Sequence, residues 1–147
     1  MKAEGGTNIA DALDRALQQH LGSKSTDPHA TPLGRTGLAD GRPGATRAIV
    51  LFTDGLPTAG GDNGTADPNS QAEATFAKGC AIPIYTIGLC MVPALQANQT
   101  TVLTDAAGSN GIACLSGNGA SFSQTTSSAG LNSVFQNVAR QLVQLVQ

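Results

Sequence analysis

The sequence predicts an α/β fold in which helices flank a parallel, Rossmann-like sheet. Three observations support it: helix-like and strand-like segments alternate along the chain, the strand-like segment at residues 48–52 is an unbroken apolar run, and the first helix-like segment is amphipathic. Alternating helices and strands favour a parallel sheet, because each helix returns the chain to the edge where the next strand begins. Parallel strands are covered on both faces, which explains the apolar runs. The length of 147 residues suits a single domain.

The first predicted helix spans residues 8–21. Its apolar face repeats at a spacing of four residues, with Ile9, Leu13, Leu17 and Leu21. Thr7 occupies the N-cap position, and Gly22 occupies the position that ends the helix. Residues 23–46 contain three prolines and four glycines, which predict a long flexible loop.

Two buried strands are predicted at residues 47–53 and 82–89, around the apolar runs that end in Phe52 and Leu89. The other predicted elements are helices at residues 70–78, 99–107 and 131–146, and a short strand at residues 111–115 before a polar stretch at residues 117–128. Gly79 is predicted to end the helix at residues 70–78. These elements complete the alternating order.

Asp54 and Thr7 are the candidate site residues. Thr53-Asp54-Gly55 places a carboxylate at the C-terminal end of a buried strand, and ligands of open α/β sheets bind beyond those ends. Thr7 places a hydroxyl at the start of a helix, where unpaired backbone donors gather. A hydroxyl and a carboxylate at one sheet edge suit a small hard cation such as Mg²⁺. Helix capping alone would also explain Thr7.

Three segments, Gly5-Gly6-Thr7-Asn8-Ile9, Ile49-Val50-Leu51-Phe52-Thr53-Asp54-Gly55 and Ile84-Tyr85-Thr86-Ile87-Gly88, resemble the second half of a von Willebrand factor A domain. That family carries a metal-ion-dependent adhesion site. By this resemblance Thr7 matches the threonine of its second motif, and Asp54 matches the aspartate of its third. The first motif, Asp-x-Ser-x-Ser, does not occur in this sequence. The resemblance places that motif and the first strand before Met1, so residues 1–147 are expected to form one truncated A-type domain.

The resemblance implies a binding module rather than an enzyme. It implies that Thr7 and Asp54 hold Mg²⁺, or Mn²⁺ or Ca²⁺, weakly because the site is incomplete, and that the cation bridges to an acidic residue of a protein partner. The strand at residues 82–89 and the closing helix also look similar to A domains of bacterial tight-adherence pilus-assembly proteins. Two alternatives stay open: a metal-free A-type assembly scaffold, and an intracellular A domain that partners an ATPase.

Composition and motifs exclude several other functions. The net charge of −2 and the absence of a basic stripe argue against nucleic-acid binding. A hydrolase or phosphotransferase using Asp54 would need a general base, and neither His20 nor His29 has an acid at useful spacing. Nucleophile-elbow and phosphate-loop motifs are also missing from the sequence. No enzymatic activity is expected.

The expected location is extracellular, periplasmic or on the cell surface. Charged residues make up only 12% of the chain, yet polar uncharged residues are abundant, a profile that often accompanies secreted bacterial proteins. The longest apolar stretch is broken by Pro83 and Pro93 and is too short to span a bilayer. The first residues lack the apolar core of a signal peptide, so a leader or anchor is expected upstream.

Cysteine positions and an unprotected strand edge complete the sequence predictions. Cys90 and Cys114 both lie at or after predicted strand ends, where a disulfide could form in an oxidising compartment. Cys80 is predicted to be a small buried hydrophobe.

Without a central first strand, the strand at residues 47–53 would expose one edge, and self-association through that edge is expected.

Overall fold

The computed structural model describes residues 8–21, 45–55, 68–103, 111–113, 117 and 121–144 of the chain. In chain order the elements are α1 (Ile9–Leu21), β1 (Ile49–Thr53), α2 (Pro68–Gly79), β2 (Ile84–Leu89), α3 (Pro93–Leu103), β3 (Phe122–Thr125) and α4 (Ser128–Gln144). The three strands form a parallel sheet in the order β1-β2-β3. The predicted α/β fold with a Rossmann-like parallel sheet flanked by helices is therefore confirmed.

The strand register brings the three carboxyl ends to one edge of the sheet. Pairing of β1 with β2 runs from Ile49 opposite Ile84 to Thr53 opposite Gly88. Pairing of β2 with β3 runs from Thr86 opposite Phe122 to Leu89 opposite Thr125. The central strand β2 is buried along its first five residues, as its apolar sequence requires. The loops after β1 and β2 therefore emerge together.

The larger core lies on the face of the sheet covered by α1, α2 and α3. We call it the main core; its buried members are Ile9, Leu13, Leu17, Ile49, Ala74, Ala77, Ile82, Ile84, Val102, Leu103 and Ile112. The amphipathic pattern of α1 explains why this helix contributes to the main core, because Ile9, Leu13 and Leu17, at a spacing of four residues, are buried. Burying one such large side chain contributes about 1.5–3 kcal/mol.

Among the described residues, α4 is the helix that covers the opposite face of the sheet. The second core comprises Tyr85 and Ile87 of β2 and Val138 of α4, with partly buried neighbours Ala48, Leu131, Val134 and Leu142. Tyr85 is 1% exposed, and this burial raises the pKa of its hydroxyl. One helix does not cover this face as far as β1, where Val50 and Phe52 are 42% and 44% exposed.

The third strand does not lie where the sequence predicts it. The predicted strand at residues 111–115 is wrong, because Ile112 and Ala113 are helical and buried. The third strand is β3, inside the stretch predicted to be polar and irregular. It has four residues and one large apolar side chain, Phe122, which packs against the main core. Such a short polar strand carries no alternation that a sequence pattern could detect.

Helix boundaries differ from the predicted ones where capping residues were misassigned. Asn8, not Thr7, caps α1, because its Oδ1 accepts a hydrogen bond from the N–H of Asp11 at 3.0 Å. The helix α3 begins at Pro93, six residues before the predicted start, and proline is favoured in a first helical turn. The helix α4 begins at Ser128 rather than residue 131, with the Ser127 hydroxyl accepting from the N–H of Gly130 at 3.3 Å.

Two sequence predictions fall largely outside the described part of the chain. Of the predicted flexible loop at residues 23–46, only residues 45 and 46 are described, and both are exposed. Thr7, Gly22 and Cys114 also lie outside the described residues. None of the described helices combines the length and hydropathy needed to cross a membrane.

Candidate functional site

Asp54 lies at the carboxyl end of β1, in a turn fixed by the residue before it. The Thr53 hydroxyl accepts a hydrogen bond from the N–H of Gly55 at 3.2 Å and donates to the carbonyl of Gly55 at 3.0 Å. Thr53 itself is buried at 7% exposure, so it anchors the turn to the sheet. Asp54 is exposed in this turn.

The carboxylate of Asp54 is available for a ligand. It forms no hydrogen bond and no ion pair with any other described residue. A carboxylate that is exposed and uncommitted keeps both oxygens as acceptors, which suits a cation or a hydrogen-bond donor. The position at the carboxyl edge of a parallel sheet is the place where α/β folds bind ligands.

Asp54 and Gly55 form one side of a small open pocket of about 130 Å³, which we call the carboxyl-edge pocket. The opposite side is apolar and comes from the end of β2 and the start of α3, with Leu89, Met91, Val92 and Leu95. Drug-sized ligands occupy pockets of roughly 300–1,000 Å³. The carboxyl-edge pocket therefore has room for an amino-acid side chain or a hydrated ion, but not for a nucleotide.

The apolar side of the pocket is open to solvent. Met91 is 68% exposed, Val92 is 52% exposed and Leu95 is 42% exposed. The polypeptide turns here from β2 into α3, and Pro93 begins the helix directly after Val92. Met91, Val92 and Leu95 therefore form an exposed apolar surface across the pocket from Asp54.

Gln99 forms the buried polar part of the pocket. It is 2% exposed, and its side-chain carbonyl accepts a hydrogen bond from the Gln124 amide at 3.0 Å. Gly88 makes room for it, because a Cβ at position 88 would collide with the Gln99 amide and lie 3.3 Å from Leu103. The glycine in β2 thus allows the glutamine to lie across the strand end.

A hydrogen-bond network fixes α3 against β3 beneath the pocket. The side-chain carbonyl of Gln124 accepts from the Gln96 amide at 3.2 Å and from the Thr100 hydroxyl at 3.3 Å. Its amide also donates to the backbone carbonyl of Gln96 at 3.4 Å. Both ends of the Gln124 amide are therefore held, which keeps the floor of the pocket rigid.

Of the residues predicted from sequence, the structure brings Asp54 and Cys90 to the same pocket. Cys90 is 4% exposed, and its Sγ donates to the carbonyl of Val92 at 3.2 Å. Because Cys114 lies outside the described residues, its disulfide with Cys90 stays a prediction. The pairing of Thr7 with Asp54 stays a prediction for the same reason. Cys80 packs against the main core but is half-buried rather than fully buried as predicted.

The sequence patterns do not predict the apolar side of the pocket or the buried Gln99. The signal for Met91 and Val92 was present, because two large apolar residues follow a buried strand immediately before a proline. Gly88 also signalled a close approach, since a glycine inside a buried strand marks one. Gln99 carried no local signal, because its partner Gln124 is 25 residues away in sequence.

Among the described residues, Asp54 is the one residue of the pocket whose side chain could hold a hard cation. Within them, no three His, Cys, Asp or Glu side chains lie close enough together to hold a metal. The Thr53 hydroxyl is hydrogen-bonded to the backbone of Gly55. This leaves the Asp54 carboxylate as the side-chain group of this turn that could coordinate a cation. A carboxylate fits a hard cation such as Mg²⁺, which takes few protein ligands and keeps several waters.

The described histidine lies far from this pocket. His20, near the end of α1, interacts with Arg47 and Ala48, before the amino end of β1. Burial lowers the pKa of His20 below its ordinary value of 6.5, and the positive charge of Arg47 lowers it further. The hydrogen bond with the backbone of Ala48 opposes both effects.

Comparisons of the chain with protein-family models, with curated proteins and with solved structures return no match. The resemblance to A domains therefore rests on the sequence motifs alone.

Proposed function

We propose that this chain is a protein-binding module that uses Asp54 and a divalent cation to capture an acidic residue of a partner. The observation that carries the proposal is the exposed carboxylate of Asp54, which has no partner among the described residues and lies at the carboxyl end of a parallel strand beside a side-chain-sized pocket. A cation held there would keep coordination positions open, and a partner carboxylate would fill one of them. The cation would then bridge two proteins.

Thr7 is the second proposed ligand, with water completing the coordination. Asn8 caps α1 in place of Thr7, so capping no longer accounts for the threonine. This supports the assignment made by resemblance, in which the hydroxyl before the first helix is a metal ligand. Two protein oxygens make a weak site, and we propose Mg²⁺, Mn²⁺ or Ca²⁺ as its ion.

The proposed setting is a bacterial surface or pilus-assembly protein, located outside the cytoplasm or on the cell surface. The low share of charged residues and the A-type motifs support this setting. A catalytic role for Asp54 has less support. His20, the described histidine, lies at the opposite end of β1, roughly 20 Å away along the strand, so it is not a general base for Asp54.

A metal-free assembly scaffold is the second candidate. One observation favours it: the described residues bring a single carboxylate to the carboxyl-edge pocket. In that case the apolar wall alone would contact a partner, and Asp54 would contribute at most a rim charge. The third candidate, an intracellular partner of an ATPase, has no support from the described site.

Calorimetric titration with Mn²⁺ and Mg²⁺ tests the proposal. We expect weak binding by the unmodified chain and a loss of about tenfold or more in affinity for Asp54→Asn, because the substitution removes the charged ligand. Asp11→Asn is the matched control, since Asp11 is an exposed carboxylate already paired with Arg15 at 2.9 Å. Equal binding by Asp54→Asn would rule out the site, and no binding by either protein would favour the metal-free scaffold.

A further inference from the structure

Gln99 brings a buried polar side chain to the carboxyl-edge pocket. It is 2% exposed and lines the pocket together with Asp54. Its side-chain carbonyl accepts a hydrogen bond from the Gln124 amide at 3.0 Å, but its amide nitrogen donates no hydrogen bond to another described residue. Buried amides normally satisfy their donors as well as their carbonyl. This nitrogen therefore indicates that the pocket receives a hydrogen-bond acceptor.

The hydrogen bonds of Gln124 determine which end of the Gln99 amide faces the pocket. A backbone carbonyl can only accept, so the 3.4 Å contact with the carbonyl of Gln96 identifies the donating nitrogen of Gln124. The same nitrogen donates to Gln99, which therefore presents its carbonyl oxygen to Gln124. That oxygen also lies over Gly88, where a Cβ would collide with it. The amide nitrogen of Gln99 is the polar atom that remains for the pocket.

The apolar side of the pocket suits a short aliphatic stem. Leu89, Met91 and Leu95 line this side, across the pocket from Asp54. The volume of about 130 Å³ holds one amino-acid side chain, so the same side chain meets both Asp54 and Gln99. Methylene groups behind its polar end would be removed from water by the apolar side. The pocket therefore fits a side chain with an aliphatic stem and an accepting end.

We propose that Gln99 selects a glutamate side chain of the partner protein, an inference that rests on the proposed cation at Asp54. One carboxylate oxygen of the glutamate binds that cation, and the other accepts a charge-assisted hydrogen bond from the Gln99 nitrogen. The two methylene groups of glutamate pack on the apolar side of the pocket, whereas the single methylene of aspartate covers less of it. Gln99 is thus a specificity-determining residue and not a cation ligand.

Titration of the full, ¹⁵N-labelled chain with small acids in excess Mg²⁺ tests the proposal by NMR. Propionate represents the glutamate side chain, acetate represents the aspartate side chain, and propionamide is the neutral analogue. We expect propionate to bind more tightly than propionamide, and up to about fourfold more tightly than acetate because it buries one more methylene. Tighter binding of propionamide would overturn the proposal, and equal affinities for acetate and propionate would exclude selection of glutamate.

Gln99→Glu removes the donor and keeps an oxygen that can accept from Gln124. We expect this variant to lose about tenfold or more in affinity for propionate without losing affinity for Mg²⁺. Gln136→Glu is the matched control, because Gln136 is exposed on α4 outside the pocket and the change in charge is the same. Unchanged affinity for propionate in Gln99→Glu would contradict the proposal.

The side-chain N–H signals of Gln99 keep the test valid if Gln99→Glu impairs folding. We expect propionate to move these signals in the unmodified chain with Mg²⁺. We also expect it to move them, at higher concentration, in Asp54→Asn without divalent ions, because this variant lacks the charge that repels an anion. Movement in Asp54→Asn without Mg²⁺ binding by the unmodified chain would support Gln99 and contradict the cation. Signals that stay fixed in both titrations would overturn the role of Gln99.

Discussion

Ala81 is the described residue other than glycine that has a left-handed backbone, and its position explains how α2 ends. Its φ is 56°, the N–H of Ala81 bonds to the carbonyl of Lys78, and the N–H of Ile82 bonds to the carbonyl of Ala77. This is the Schellman arrangement, whose left-handed position normally holds glycine. The sequence predicts Gly79 as the stop, but the turn falls two residues later, where Ile82 enters the main core.

Replacing Ala81 by glycine is expected to stabilise the protein. Relief of the left-handed strain is worth roughly 1–2 kcal/mol, and the greater freedom of glycine in the unfolded chain costs about 0.4–1 kcal/mol. Ala81→Gly should therefore raise the unfolding free energy by about 0.5–1 kcal/mol in urea. Ala97→Gly, at an exposed position inside α3, should instead lower it. A loss of stability in Ala81→Gly would contradict the described turn.

His20 is expected to make stability depend on pH. Its pKa is lowered in the folded protein, first by burial and then by Arg47, so the unfolded chain binds the proton more readily. The contribution of His20 to the unfolding free energy is therefore complete above pH 6.5. It is lost as the pH falls through 6.5 toward the lowered pKa of the folded state. Urea unfolding at several pH values between 5.5 and 7.5 measures this.

Substitution of His20 separates this effect from other titrations. We expect His20→Gln to flatten the dependence of the unfolding free energy on pH between pH 5.5 and 7.5. An unchanged slope in His20→Gln would show that another group is responsible.

At the scale of elements, the side chain of Thr86 joins β2 to the end of α3. Its hydroxyl donates to the carbonyl of Leu103 at 2.6 Å, and both residues are buried. Leu103 ends α3, so its carbonyl belongs to the last four that have no partner within a helix. The threonine therefore has a polar role inside an otherwise apolar strand.

Removing this hydroxyl is expected to destabilise the fold. Thr86→Val keeps the shape but leaves a buried carbonyl without its donor, which costs about 1–3 kcal/mol. Thr101→Val is the matched control, because Thr101 is exposed and its hydroxyl bonds within its own helix to Ala97. We expect that control to stay within about 0.5 kcal/mol of the unmodified chain. Equal unfolding free energies for the two variants would refute this role of Thr86.

The elements differ in how well the sequence predicts them. The helix α1 and the strands β1 and β2 bury enough apolar surface to give their sequences a recognisable apolar pattern. The strand β3 does not, because Gln124 is placed by contacts with α3 rather than by apolar burial. Ile112 shows the converse error, since a short apolar segment suits a buried helical turn as well as a strand.

The candidate site is predicted by the same uneven signals. Asp54 is found because it directly follows an apolar strand, and the end of a parallel strand fixes its location. The wall formed by Met91 and Val92 requires knowledge of where α3 begins, which Pro93 sets earlier than the predicted start. The floor formed by Gln99 depends on contacts across the sheet edge. A local sequence pattern therefore predicts the position of the Asp54 carboxylate but not the pocket beside it.

For the whole molecule, the two faces of the sheet are covered unequally. Among the described residues, three helices cover the main core and one helix, α4, covers the second core. Val50 and Phe52 of β1 are exposed beside α4. We propose that the carboxyl-edge pocket at the end of β1 takes a cation and a partner protein.

The central claim is that a divalent cation binds at Asp54. Manganese is paramagnetic and broadens the NMR signals of nearby amides, so titration of the labelled chain locates the ion. We predict that the amides of Gly55, Leu89 and Met91, which surround the pocket, lose intensity first, and that Asp54→Asn abolishes this loss. Broadening that is centred on other residues, or that persists in Asp54→Asn, would contradict the account.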